Sequence, residues 1–171
     1  SSGTRPWNWY HEAGAGTNAY LDASEAPVMV MHVEHEDADA RIEVNAGLHL
    51  VRLTWKCPVP GPRYRAILLR MMAAVEHHGL TNWLSDGRRM GPILYVDQAW
   101  TMEEFVPKLV AAGMQRIAIV SSEDVLNQIA VDRMVSTTPA DVPYAIAFFE
   151  DPSIAQLWLM DKSGKPARVP G

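Results

Sequence analysis

From Val28 onward the chain sets apolar against polar residues with a period near two, then changes to a helical period, and the change recurs to the C-terminus. Val28 to Glu36, Arg41 to Val44 and Leu48 to Trp55 alternate or cluster β-branched and apolar residues. Asp37-Ala38-Asp39 and Asn45-Ala46-Gly47 separate them, so the opening predicts a strand meander. In PRYRAILLRMMAAVEHHG, the residues Tyr64, Ile67, Leu68, Met71 and Val75 fall at helical spacing; Pro62 suits the first turn and Gly79 the position after the last. The pattern then predicts a strand over Asn82 to Ser85, a helix from about Met102 to Ala112, and a strand over Arg116 to Val120. A helix over Asp124 to Met134 and a strand over Tyr144 to Phe149 follow. Asp151 and Pro152 supply an N-cap and a first-turn residue for a last helix through Leu159. Each crossover after the meander contains a helix that can return the chain. The expected class is therefore α/β, with one mixed sheet that is parallel in its second half. Phe148, Phe149, Trp158 and Leu159 are expected to be mostly buried where the last helix covers the sheet.

Domain organisation follows from where this pattern stops. Residues 1–27 mix Gly, Ala, Asn and Ser with Trp7, Trp9, Tyr10 and Tyr20 and sustain no period, so they read as an irregular arm. Residues 28–160 form the α/β domain, and 161–171, with two Pro and two Gly, form a tail. The indoles of the arm leave docking on the domain, or on a second copy in a homodimer, as an alternative to a frayed end. Gly14-Ala15-Gly16 is no nucleotide fingerprint, because no strand precedes it and the third glycine is missing.

Composition narrows the function classes. The 171 residues fit one domain with a real core, and 48% apolar with 20% charged residues is an ordinary globular balance. The net charge is −5, and eleven Arg and four Lys are dispersed without a basic run, which removes the footprint of a nucleic-acid binder. No apolar stretch approaches the roughly 20 residues of a membrane span. A single cysteine, Cys57, excludes an internal disulfide and makes a cytoplasmic address the default, while Ser1-Ser2-Gly3 leaves a processed end open.

The stretch Leu84 to Gly113 holds the candidate chemistry. Ligands of open α/β sheets bind outside the carboxyl ends of the strands, and Asp86-Gly87-Arg88-Arg89 follows one such end directly. Arg88 and Arg89 offer planar donor forks suited to carboxylate or phosphate, and Asp86 and Asp97 can orient them or engage a partner. Trp100 stands at the mouth of the sheet. Thr101 and Glu104 match a capping box, with Trp100 and Phe105 as its hydrophobic staple, so a helix start is expected there. Elsewhere the chemistry is thin. His32, Glu34, His35 and Glu36 read like metal ligands, but a strand period of two sends the histidines to opposite faces. His77 and His78 suit the negative end of a helix dipole, and Lys56 beside Cys57 offers to lower the thiol's pKa. No catalytic residue, metal set or cofactor motif is assigned.

Certain residues in order carry a family resemblance: Tyr64-Arg65 opening the first helix, Leu84-Ser85-Asp86 ending a strand, Asp97 followed by Trp100, and Pro107 in the next helix. Arg116 to Val120, then FFED with Ala155 and Trp158-Leu159, complete it. Over roughly Arg41 to Leu159 the chain resembles the SpoIIAA-like domains of the STAS/Sec14 type, mostly small regulatory or ligand-binding modules. The resemblance implies a SpoIIAA-like fold and a non-catalytic role. In anti-sigma-factor antagonists of this fold a phosphorylatable Ser starts the helix after the central strand. Around Asp97-Gln98-Ala99-Trp100 there is no Asp-Ser-Ser-Gly run, and Thr101 is the nearest hydroxyl. The expected function is a regulatory module binding a protein partner at Asp86, Arg88, Arg89, Asp97 and Trp100. The alternative is a carrier of a small apolar or amphipathic ligand, in a cavity lined by Leu68, Met71, Met72, Phe105, Leu109, Phe148 and Phe149.

Overall fold

The structure, a computed structural model, describes residues 29–161. The aromatic residues Trp7, Trp9, Tyr10 and Tyr20 and the tail from Lys162 lie outside the described residues. Six strands form one sheet in the order of the chain: β1 (His32–Glu36), β2 (Ala40–Asn45), β3 (Leu50–Trp55), β4 (Asn82–Asp86), β5 (Arg116–Val120) and β6 (Ala145–Phe149). The first three pair antiparallel and β3 to β6 pair parallel, so the sheet is mixed. The turn Asp37 to Asp39 closes the first hairpin through the Asp37 carboxylate, which accepts from the amides of Asp39 and Ala40. The His35 ring bonds the same carboxylate. Together these bonds, the His35 one first, hold the Asp37 carboxyl down at about 2.

Because each parallel strand is added on the same side of the last, right-handed crossovers place all the connecting helices on one face. They are α1 (Pro62–His78) between β3 and β4, then α2 (Tyr95–Trp100) and α3 (Val106–Ala111) between β4 and β5, and α4 (Val125–Thr137) between β5 and β6. Their core packs Ile42, Leu53 and Trp55 of the sheet against Leu68, Met71 and Val75 of α1 and Phe105 and Leu109 of the second crossover. The opposite face receives α5 (Pro152–Met160), capped by the Asp151 carboxylate on the Ser153 amide. Ile154, Ala155 and Leu159 of α5 cover Leu84, Ala118, Val120, Ala147 and Phe149.

Two expectations need correction. The helix of the second crossover starts at Tyr95, not near Met102. Its α2 segment runs into a π-helical segment, Thr101–Phe105, and on into α3, with the Val106 amide donating to the Thr101 carbonyl five residues back. Thr101 therefore lies inside helical backbone and cannot cap it; its hydroxyl donates to the Asp97 carbonyl at 2.7 Å. Trp100 does stack on Phe105, with ring centroids 6.1 Å apart, but within the helix and not as a staple across its start. The second correction concerns β1. A bulge between Val33 and His35 sets His32 opposite Val44 and His35 opposite Ile42, two residues apart, so both histidines share a face. Even so, the described residues contain no cluster of three metal-ligating side chains. Trp158 is mostly buried, as expected, beside the buried Phe148, Phe149 and Leu159. Its ring leans on Phe149, and the Arg116 guanidinium, bonded to the Trp158 carbonyl, lies 5.4 Å from the ring centroid.

Among the described residues no helix is long and apolar enough to cross a membrane.

Candidate functional site

The residues singled out in the sequence fall into two separately satisfied groups. At the end of β4, Asp86 is buried and receives Arg88 as a two-pronged partner, Nε at 3.0 Å and Nη2 at 2.8 Å. The fork that was to greet an anion is thus spent on its own neighbour, and the Asp86 bond drives the Arg88 pKa further up. The Gly87 amide donates to the Val120 carbonyl, which ties the turn to the end of β5. Arg89 is exposed.

Asp97 belongs to the second group and is not a surface residue: it is 1% exposed. It sits in the first turn of α2, where the helix dipole favours a carboxylate, and accepts from the Gly61 amide at 2.9 Å and from Arg65 Nε at 2.7 Å. Arg65 also covers the Trp100 ring, 5.5 Å from its centroid. Next to this clamp Tyr64 meets Thr101, oxygen to oxygen, at 2.9 Å. The Thr101 proton already goes to the Asp97 carbonyl, so the Tyr64 hydroxyl is the donor. Burial is the chief cause that pushes the Tyr64 phenol up to about 12. Tyr64-Arg65 and Asp97 through Thr101 are therefore a fastening between α1 and α2. No hydrogen bond or ion pair joins it to the Asp86 turn among the described residues.

The other candidate chemistry dissolves in the same way. Cys57 is partly buried, and its thiol is pushed up, by desolvation first and then by the Asp39 carboxylate beside it. Lys56 turns away to Glu36, at 2.7 Å, and to the Asp37 carbonyl. His78 pairs with Glu34 and packs edge-on against His77 at the end of α1, where Gly79 takes the left-handed cap conformation.

What the structure brings together instead is a cavity of about 650 Å³. Its floor is the helix-covered face of β4 to β6, made of alternate residues: Trp83 and Ser85, Ile117 and Ile119, Ile146 and Phe148. One wall is the second crossover, with Thr101, Met102 and Phe105 of the π-helical segment and Val106 and Leu109 beyond it. The other wall is α4, with Asn127, Ile129, Val131 and Val135. The cavity reaches Gly87, Ser121, Ser122 and Glu150, which follow the carboxyl ends of β4, β5 and β6. Polar side chains there are largely engaged in holding loops: Ser122 Oγ donates to the Met90 carbonyl and Asn127 Nδ2 to the Gly91 carbonyl. Asp132 and Glu150 are the charged residues of the lining, and no Lys, Arg or His is among the described residues that form it.

Of the seven residues expected to line such a cavity, Leu68, Phe105, Leu109 and Phe148 do. Met71 and Met72 are packed in the core of the helical face, and Phe149 points to the α5 side. Trp83, Ile117, Ile119 and Ile146 went unrecognised, although their alternation along parallel strands was a readable signal.

No family model, no curated protein and no solved structure matches the chain.

Proposed function

We propose that this chain is a ligand-binding module of SpoIIAA-like type that holds a small, mainly apolar molecule between the sheet and its helices. One observation carries the reading: the cavity of about 650 Å³ over β4 to β6. Small-molecule sites occupy roughly 300–1,000 Å³ and have mainly apolar walls with a few polar groups, which is the make-up found here. Access adds a second argument. The space is partly open to solvent, so water occupies it when no guest is held, and water against apolar walls is displaced favourably by an apolar molecule. Space of this kind persists when solvent or a guest fills it, and the apolar walls favour a guest. The SpoIIAA-like type rests on the resemblance carried by Tyr64-Arg65 and Asp97 and on an order of strands and helices that accords with it. Recognition of a protein partner at Asp86, Arg88 and Arg89 has less support, because Arg88 is already neutralised by Asp86.

Fluorescence titration of the full chain with N-phenyl-1-naphthylamine, a neutral apolar probe, tests the reading. Saturable binding with a raised thermal midpoint is expected, and Ile119→Trp, which fills the floor, should remove it while the chain stays folded by far-UV circular dichroism. Absence of saturable binding to the parent chain, or unchanged binding to the folded Ile119→Trp variant, would overturn it.

A further inference from the structure

Two hydroxyls on the floor of the cavity have no partner among the described residues. Tyr144 precedes β6 and shares the parity of Ile146 and Phe148, so its side chain stands on the helix-covered face, where it lines the cavity and is 7% exposed. Ser85 stands on the same face of β4, with β3 and β5 on either side, so the surface it keeps looks into the space above the sheet. The side-chain polar atoms sealed without a partner among the described residues are Asp39 Oδ2, Arg41 Nε and Trp83 Nε1. The Tyr144 and Ser85 hydroxyls are not among them, so both remain reachable. Burial alone pushes the Tyr144 phenol pKa up, with no bonded or charged neighbour to offset it. Register sets the separation of the pair. Ser85 is level with Ile119 and Ile119 with Phe148, so Tyr144 lies four residues nearer the amino ends of the strands and two strands away. At about 3.3 Å per residue and about 4.8 Å per strand, the two Cα atoms stand roughly 16 Å apart along the floor.

We infer that the molecule held in this cavity is elongated and uncharged, with a hydroxyl or carbonyl oxygen at each end, one meeting the Tyr144 hydroxyl and the other the Ser85 hydroxyl. The inference rests on the ligand-binding reading and narrows it. A polar group carried into an apolar space is stable there only where it finds a partner, and these two hydroxyls are the partners on the floor. Ile117, Ile119 and Ile146 lie between them, so the body of the guest is apolar. The lining selects neutral ends. A carboxylate or phosphate would meet no cation, because the charged residues of the lining, Asp132 and Glu150, are acidic. An ammonium end would find no free buried carboxylate, since Asp132 is already engaged and Glu150 is exposed beyond the end of β6. A hydroxyl both donates and accepts, so Tyr144 and Ser85 can each answer a hydroxyl or a carbonyl on the guest.

Isothermal titration calorimetry of dodecane-1,12-diol, dodecan-1-ol, dodecanoate and dodecylammonium tests this on the full chain and on Tyr144→Phe and Ser85→Ala, with N-phenyl-1-naphthylamine as the control probe. Simple partition into an apolar space ranks the monoalcohol above the diol, because the diol takes a second hydroxyl out of water. The inference reverses that order, with the diol tighter by about fivefold or more. Each substitution should weaken the diol about five- to tenfold, the equivalent of one hydrogen bond, and change the control probe by less than about twofold. The two charged probes should bind at least about tenfold more weakly than the diol. If N-phenyl-1-naphthylamine does not bind the parent, the ligand-binding reading itself fails. If it binds, three results overturn the present inference alone: a diol no tighter than the monoalcohol, a folded variant that leaves the diol within about twofold of the parent, or a charged probe as tight as the diol. Diol and monoalcohol are compared on the parent chain, so a poorly folded variant leaves the inference testable.

Discussion

Removing the Asp97 carboxylate should loosen α1 from α2 and cost the chain a large part of its stability. In Asp97→Ala the Gly61 amide and Arg65 Nε, now at 2.9 and 2.7 Å from the carboxylate, lose their acceptor together. Hydrogen bonds to a charged group contribute about 1.5–3 kcal/mol each, and removing one partner of a buried ion pair costs about 3–5 kcal/mol. The Arg65 side chain is 33% exposed and regains water once released, which places the loss near the lower end of that range, at about 3 kcal/mol. For a chain of this size each kcal/mol moves the midpoint by about 2–4 °C, so Asp97→Ala should melt about 6–12 °C below the parent. Asp97→Asn keeps the shape and one acceptor oxygen but not the charge, and its loss should be about half as large. Differential scanning calorimetry of the two variants and of Arg65→Ala supplies the numbers, and the Asp97→Ala, Arg65→Ala cycle should show a coupling above about 1 kcal/mol. A midpoint within 2 °C of the parent for Asp97→Ala would refute the fastening and return Asp97 to the list of residues free to meet a partner.

Two further outcomes follow from local packing and burial. A Cβ on Gly91 would lie 2.7 Å from Pro58 Cβ and 3.0 Å from its Cγ, so Gly91→Ala forces the loop before α1 to move and should cost about 1–3 kcal/mol, read as a lower urea midpoint with an unchanged slope. No change in that midpoint would show that the loop gives way freely. The Tyr64 phenol stands at about 12 in the folded chain against 10.0 when unperturbed, a raised pKa, so its stabilising contribution is fully present below pH 10 and is lost as the pH climbs through 12. Urea unfolding at pH 9 and at pH 11.5 should therefore show a fall in stability that is smaller in Tyr64→Phe, and an equal fall in both would contradict the burial.

Much of the fold was legible because the period of the pattern changes where the chain changes element. The six strands and the helices 62–78 and 152–160 lie where alternation, Pro62, Gly79 and Asp151 place them. The start of α2 was hidden for a physical reason. Its first turn buries an aspartate and exposes Tyr95 and Val96, the reverse of the usual amphipathic signal, and Leu94 provides no side-chain cap. A good capping box six residues later drew the boundary to Thr101. The bulge in β1 escaped for a related reason: one extra residue inverts the facing of everything before it, and only the pairing with β2 reveals it. At the candidate site, Asp86 and Arg88 were correctly placed at a strand end, but their proximity in sequence lets them satisfy each other before any guest arrives.

The cavity is a property of topology more than of any motif, which explains why its lining was half missed. Adding β4, β5 and β6 in one direction forces three crossovers onto one face, and the helices must share a sheet that twists beneath them. Where α1 meets the second crossover, the gap is closed by large side chains and by the fastening of Tyr64 and Arg65 to Thr101 and Asp97. Between the second crossover and α4 the link comes from Arg133, which donates to Gln98 Oε1 at 3.4 Å and lies over the Tyr95 ring, and the residues facing the gap over the sheet include Val106, Leu109, Val131 and Val135. The π-helical segment lies on this side of the gap. Its wider turn sets Thr101, Met102 and Phe105 on the cavity wall, in the position where such segments are often found at functional sites. An α-helix in that place would have to redirect these three side chains and with them the wall beside Trp83. A wall that runs through a π-helical segment leaves room over the sheet, and an apolar guest filling that room stabilises the folded chain by mass action.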